Sequence, residues 1–285
     1  MADFISNHTF GEMMNIKGNR INIVIKILIT FMILSVILPL VYMFVVSLKS
    51  KNDFLSSPYD IINFEWTFEN YSKMFTSYNV QQKLWNSFWV SSLTASLVCV
   101  FAIPAAYCML YIKESIRKIV IVLMVIFIFM PAQVALAAKY RLFLEMGLID
   151  THFAVIVSGL SDWLPTSIFL MYVHIRGLNK GFINAAKLDG CNECQVIIRI
   201  LIPIILPAIS IIFINTFTGM WNDFLTPMFL LRSESKQLLI PSLTSLVQRY
   251  RSNLPFQLSG YVCGIIPTII IYTIFKNYIL NGFKE

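Results

Sequence analysis

Six stretches of the chain, at 27–46, 85–112, 119–138, 153–175, 200–231 and 256–275, are long and almost free of ionised side chains. About 20 apolar residues in a helix cross a hydrocarbon layer about 30 Å thick. A helix also satisfies its own backbone hydrogen bonds, which lipid cannot do for it. The recurrence of such runs predicts an all-α polytopic membrane protein with six transmembrane helices. Composition agrees, since 57% of the 285 residues are hydrophobic and only 13% charged, about half the roughly 25% charged content of a soluble domain. Six spans place both termini on one side. Basic residues are denser on that side, with Lys17, Arg20, Lys26, Lys113, Arg117 and Lys118 in short segments, so the N- and C-termini are expected to be cytoplasmic. The first apolar run has no small-residue cleavage site and is expected to stay as a helix.

This outline gives one membrane domain over 1–285, with its core at about 80–280. The expected non-membrane parts are a cytoplasmic tail at 1–20, outer loops at 47–84 and 232–255, and a cytoplasmic loop at 176–199. A net charge of +7 raises the question of nucleic acid, but the 22 Lys and Arg are scattered singly or in pairs and form no phosphate-binding stripe. Membrane lipid is the expected neighbour, and no nucleic acid. Five cysteines, an odd number, imply no disulfide framework. Cys191 and Cys194 form a single CxxC without the second pair that a zinc site needs. His8, His152 and His174 stand alone, so neither a metal centre nor a histidine-activated nucleophile is expected. With no GxxxxGK[ST] loop, the chain is not expected to hold ATP, and no catalytic group or bound cofactor is assigned.

The loop at 176–199 has a pattern of its own. Phe182, Ala185, Ala186 and Asp189 fall at helical spacing, and Gly190 sits where a helix commonly ends in the left-handed conformation. Asn192 and Gln195 have the separation of a capping box. Two short helices joined at 190–192 are expected. Ala185 and Ala186 leave a shallow surface that suits close approach of another protein; the same spacing also suits an amphipathic hairpin that merely connects two spans.

The run Asn184-Ala185-Ala186-Lys187-Leu188-Asp189-Gly190, followed after nine residues by Ile200-Leu201-Ile202-Pro203, resembles the EAA motif of inner-membrane subunits of type I ATP-binding-cassette importers. Asn184 stands where that family usually has Glu, and Ile202 where Leu is usual. Trp66-Thr67-Phe68-Glu69-Asn70-Tyr71, Gly147-Leu148-Ile149-Asp150-Thr151 and Trp221-Asn222-Asp223-Phe224 are similar, in order and spacing, to segments of the MalG-type sugar permeases of this family. The resemblance implies a permease subunit for carbohydrate import across a bacterial or archaeal cell membrane. It also implies a second, different permease as partner, together with two cytoplasmic ATPases that carry ATP and Mg, and an extracytoplasmic solute-binding protein. Asn184, Ala185, Ala186, Leu188, Asp189, Gly190 and Pro203 would then couple to the ATPase, with a neutral group at 184 in place of a charge. Pro241, Gln248, Arg249, Tyr250 and Arg251 would lie on the loop that faces the binding protein. A non-sugar solute such as a polyamine or glycerol phosphate, a secondary transporter and an integral membrane enzyme are the alternatives.

Two acids fall inside the expected spans. A carboxylate at the centre of a membrane helix costs roughly 2.5–3.5 kcal/mol on insertion scales and should face a cavity or a partner. Asp162 is therefore a candidate for the translocation pathway, or else a capping or protonated acid beside Trp163 and Pro165. Asp223 either contacts substrate or holds the turn after the fifth span. Trp221 and Asn222 complete the pathway candidates, with Trp221 suited to stacking on a sugar or to an interfacial position. Pro39, Pro104, Pro131, Pro165, Pro207, Pro227 and Pro267 should kink the spans that hold them.

Overall fold

A computed structural model describes residues 20–61, 63–178, 180–251 and 253–282. The expected cytoplasmic tail, apart from Arg20, lies outside them. Every regular element among the described residues is a helix. Four helices are long and apolar enough to cross a membrane, within Ile25–Ser47, Val80–Cys108, His152–Gly177 and Leu254–Lys276, and two bent helix pairs bring the number to six if each is one span.

The described residues divide into two compact units, the first running up to Ser77 and including Tyr250–Cys263, the second holding Tyr78–Arg249 and the residues from Gly264 on. In the first unit, α1 (Arg20–Ser47) is apolar on every side from Ile27 onward. Its side chains from Ile27 to Leu40 are exposed, a surface that lipid accepts and water does not. The expected outer loop 47–84 is instead ordered by α2 (Lys51–Ser56), α3 (Glu69–Thr76) and the early start of the next span. The Asn70 amide donates to the carbonyls of Ser47 and Lys49 at 2.9 and 2.8 Å. Tyr71 Oη lies 2.6 Å from Ser47 Oγ. Asn70 of the Trp66–Tyr71 run thus satisfies carbonyls that the end of α1 would otherwise leave orphaned, and Tyr71 bonds a hydroxyl beside them. Lys49 is fully buried, and its ammonium donates to the Ser57 and Asp60 carbonyls and lies 5.0 Å from the Phe64 ring centre.

The second unit is built around α4 (Val80–Cys108), against which α7 (His152–Gly177) and α11 (Leu206–Asn222) pack. Ser91 and Ala95 on α4 are fully buried and Ser87 nearly so, and small residues of this kind let membrane helices approach closely. At Gly159 of α7, an added Cβ would fall 2.5 Å from Met220 Sδ. Val98, Ile103, Met171, Ile175, Leu201 and Ile212 form one apolar cluster, and Val90, Val155, Met220 and Leu230 belong to a second.

The expected third span is not one helix. α5 (Glu114–Phe129) and α6 (Ala132–Glu145) meet at 96°. Pro131 disfavours helical backbone in the residue before it, and Met130 is extended, with ψ 122°. Nor is 200–231 continuous. After α8 (Lys180–Leu188) and α9 (Glu193–Gln195), a π-helical turn over Val196–Leu201 runs into α10 (Ile202–Ile204). The chain then bends by 80° into α11, where Pro207 occupies the first turn and has no N–H to give to a preceding carbonyl. Asp223, with ψ 122°, ends α11, and α12 (Leu225–Leu230) follows. The expected outer loop 232–255 contains α13 (Leu239–Arg249), whose Leu239, Leu243 and Leu246 are buried on one face. The last helix is α14 (Leu254–Gly282).

Candidate functional site

Between α8 and α9 the chain folds as a helical hairpin. α8 ends with the Gly190 N–H donating to the Lys187 carbonyl at 3.1 Å and the Cys191 N–H to Ala186 at 3.0 Å. Gly190 has φ +83°, a conformation that costs other L-residues about 1–2 kcal/mol. The next helix opens with the expected capping box, in which the Asn192 and Gln195 side chains each accept from the other's backbone N–H at 2.9 Å. Exposed on the hairpin are Phe182, Asn184, Ala185, Leu188 and Asp189, with Leu188 at 89%. Ala186 is only 6% exposed and packs inward with Ile183, so the shallow outward surface expected from two alanines rests on Ala185 alone. Pro203 is exposed in α10.

A polar cluster that the motif reading missed ties this hairpin to the end of α4. Glu193 accepts from Lys187 Nζ through Oε1 at 2.7 Å and from the Tyr107 hydroxyl through Oε2 at 2.6 Å. Tyr111 donates to Tyr107 at 2.9 Å and accepts from Lys187 at 3.2 Å. Hydrogen bonding to Glu193 raises the Lys187 pKa, and the same bond holds the Glu193 carboxyl below its usual range.

A second candidate is a cleft of about 780 Å³ lined by Gln133, Leu136 and Lys139 of α6, Ser161, Asp162, Trp163 and Thr166 of α7, and Gly219, Asn222, Asp223 and Phe224 at the end of α11. Three of the four expected pathway residues thus share one cavity. Trp221 does not join them: it is buried and stacks on Phe217 with ring centres 5.7 Å apart. One residue step turns a helical side chain by about 100°, which sends Asn222 to the cleft and Trp221 to the core. Asp223 also accepts from the Thr226 N–H at 3.3 Å, holding the turn into α12.

Asp162 is paired. Lys139 Nζ lies 2.5 Å from its Oδ1, the two side chains being 17% and 29% exposed, and Lys139 also donates to Ser158 Oγ at 3.2 Å. Lys139 stands one position past the end of the third apolar run, so a hydropathy reading assigns it to a loop. Gly219 matters as a space: a Cβ there would lie 1.9 Å from Trp163 Cζ2, so the indole occupies the position of a side chain.

The Gly147–Thr151 run is a turn. Gly147 has φ +67° and Asp150 φ +62°, while Thr151 caps α7 by accepting from the Ala154 N–H at 3.2 Å. Asp150 Oδ1 accepts from the N–H groups of Arg232 and Ser233, each at 2.9 Å, and Oδ2 from the Ser233 hydroxyl at 2.5 Å. Lys236 Nζ reaches the Asp150 carbonyl at 2.7 Å. These bonds, Ser233 foremost, hold the Asp150 carboxyl far below its usual range. Of the residues expected on the binding-protein-facing loop, Gln248, Arg249, Tyr250 and Arg251 are exposed. Pro241 is not; it lies buried in the first turn of α13, whose apolar face needs cover. Among the described residues, no group of three or more His, Cys, Asp or Glu is placed to hold a metal ion.

The family described as binding-protein-dependent transport system inner membrane component matches residues 99–282. The chain belongs to this family. It is 29% identical over 263 residues to the arabinooligosaccharides transport system permease protein AraQ of Bacillus subtilis, covering 90% of the chain and 93% of AraQ. To the diacetylchitobiose uptake system permease protein NgcG of Streptomyces coelicolor it is 25% identical over 252 residues, covering 88% and 83%. The fold is similar to that of a chain in a bacterial ABC transporter involved in the import of the acidic polysaccharide alginate, with a TM-score of 0.78 and 20% identity over 93% of this chain and 99% of that one. An inner membrane component of this family is a multi-pass transport subunit, and is not itself an enzyme.

Proposed function

We propose that this inner membrane component is one of two different permease subunits in an ATP-driven importer for a carbohydrate, and forms half of an alternating-access pathway. The observation that carries the carbohydrate reading is the cleft, where Gln133, Asp162, Asn222 and Asp223 stand beside Trp163 and Phe224. Hydrogen-bonding groups next to aromatic faces suit a ligand that is polar at its rim and apolar on its ring faces. Relatives named for arabinooligosaccharides and diacetylchitobiose support the same reading.

In this account each bent helix pair counts as one span, which gives six spans and cytoplasmic termini. The α8–α9 hairpin then lies in the cytoplasm and docks on an ATPase through Asn184, Ala185, Leu188 and Asp189, with Gly190 setting the turn, Ala186 seating the hairpin and Pro203 leading back to the membrane. Gln248, Arg249, Tyr250 and Arg251 face an extracytoplasmic solute-binding protein. ATP and Mg stay on two partner ATPases, and the complex sits in a bacterial or archaeal cell membrane.

The test is a ligand screen on the cognate binding protein, followed by uptake in proteoliposomes holding the full complex. A mono- or oligosaccharide that is bound and then imported is the expected result. Selective binding and import of a polyamine or a glycerol phosphate would overturn the carbohydrate reading.

A further inference from the structure

The hairpin is seated on the second unit by apolar contacts, with Ile183, Ala186 and Val196 buried in the same cluster as Ile103, Ala106 and Tyr107. Such contacts resist separation but are non-directional, and would let the hairpin slide or rotate over the end of α4. Direction comes from one carboxylate. Glu193 binds Lys187 at the end of α8 through one oxygen and Tyr107 in the last turn of α4 through the other. Since Glu193 is itself the first residue of α9, three helices meet at a single side chain. Tyr111 closes the ring by contacting both Tyr107 and Lys187, and the Lys187 ammonium lies 4.6 Å from the Tyr111 ring centre. α4 in turn packs along α7 and α11, which carry Asp162 and Asn222 into the cleft.

We propose that Glu193, with Tyr107 and Lys187, is the positioning group that makes the hairpin and α4 move as one body, so that displacement of the hairpin is delivered to the helices lining the cleft. This rests on the reading of the chain as an ATP-driven permease. Loss of the ring leaves the outward face of the hairpin, with Phe182, Ala185 and Leu188, free to dock. What fails is the transfer of motion, so ATP is hydrolysed with less solute moved.

The experiment measures solute imported per ATP hydrolysed in proteoliposomes containing the complete importer. The chains compared are wild type, Tyr107→Phe, Glu193→Ala and the double variant, with complex yield measured for each. Tyr107→Phe removes one hydroxyl and keeps the ring. The expected result is normal assembly and a several-fold fall in the ratio for each single variant, with the double variant no worse than Glu193→Ala, because both act through one bond. Should Glu193→Ala fail to assemble, Tyr107→Phe alone decides. An unchanged ratio in Tyr107→Phe, or losses that multiply in the double variant, would overturn the proposal. Failure of the wild-type chain to couple ATP hydrolysis to uptake would instead overturn the permease reading on which it rests.

Discussion

Asp150 binds Ser233 through both the backbone N–H and the hydroxyl, at 2.9 and 2.5 Å, across a separation of 83 positions. The contact joins the α6–α7 turn to the segment after α12. Because the folded carboxyl is held below its usual range, its contribution is present above the ordinary carboxylate pKa of about 4 and is lost as pH falls below that value. Asp150→Asn should lower stability by about 1 kcal/mol near neutral pH, below the roughly 1.5–3 kcal/mol of a bond to a charged group because the side chain is partly wet. Thermal unfolding in detergent checks this. The gap between wild type and variant should begin to narrow below about pH 4 and close only well below it, and a gap that widens would contradict the assignment.

Lys139 and Asp162 form a pair that is only partly exposed. Removing one partner of a buried pair costs 3–5 kcal/mol, while replacing both is often nearly neutral. Partial exposure lowers the figure here, so Lys139→Ala should cost about 2 kcal/mol. Lys139→Ala with Asp162→Asn should be more stable than Lys139→Ala alone, as read by urea or thermal unfolding.

Gly219 gives Trp163 its place, since a Cβ would meet the indole at 1.9 Å. Gly219→Ala should therefore displace the ring and cost about 1–3 kcal/mol, the usual range for overpacking. A shift in tryptophan emission together with lower thermal stability is the expected outcome. Trp163→Phe in the same background should recover part of the stability, because the smaller ring clears the methyl.

At Gly190 the obstacle is backbone, not space: φ is +83°, and an added Cβ would meet nothing within 4 Å. Gly190→Val should uncouple transport by forcing the turn open. Gly190→Asn should be nearly silent, since Asn visits the left-handed region with little strain. Equal effects of Asn and Val on uptake would show that side-chain bulk, and not the turn, matters at this position.

The parts of the fold that were legible in the amino-acid sequence are those with local causes. The hairpin follows from helical spacing, a terminal glycine and a capping box, all within a few residues of one another. α1 follows from an unbroken apolar run. Hydropathy alone is blind to backbone effects: 119–138 carries no ionised residue, yet Pro131 keeps Met130 out of the helix and breaks the run. It is equally blind to amphipathic structure, and so assigns the buried Leu239, Leu243 and Leu246 stripe of α13 to a loop although these residues fall at helical spacing. Within the candidate site, Asp162 and Asp223 stood out because charge is costly in lipid. Trp221 was misplaced because side-chain type says nothing about which face of a helix turns inward. Lys139 for Asp162 and Tyr107 for Glu193 are contacts 23 and 86 positions apart, set by tertiary packing that no local pattern reports.

The most direct test of the account is uptake of labelled oligosaccharide by proteoliposomes in which the ATP supply, the ATPases and the binding protein can each be withheld. Uptake is expected only when ATP is present on the hairpin side and a loaded binding protein on the other, and is expected to be lost in Gly190→Val. Uptake driven by an ion gradient in liposomes containing this chain without an ATPase would contradict the account.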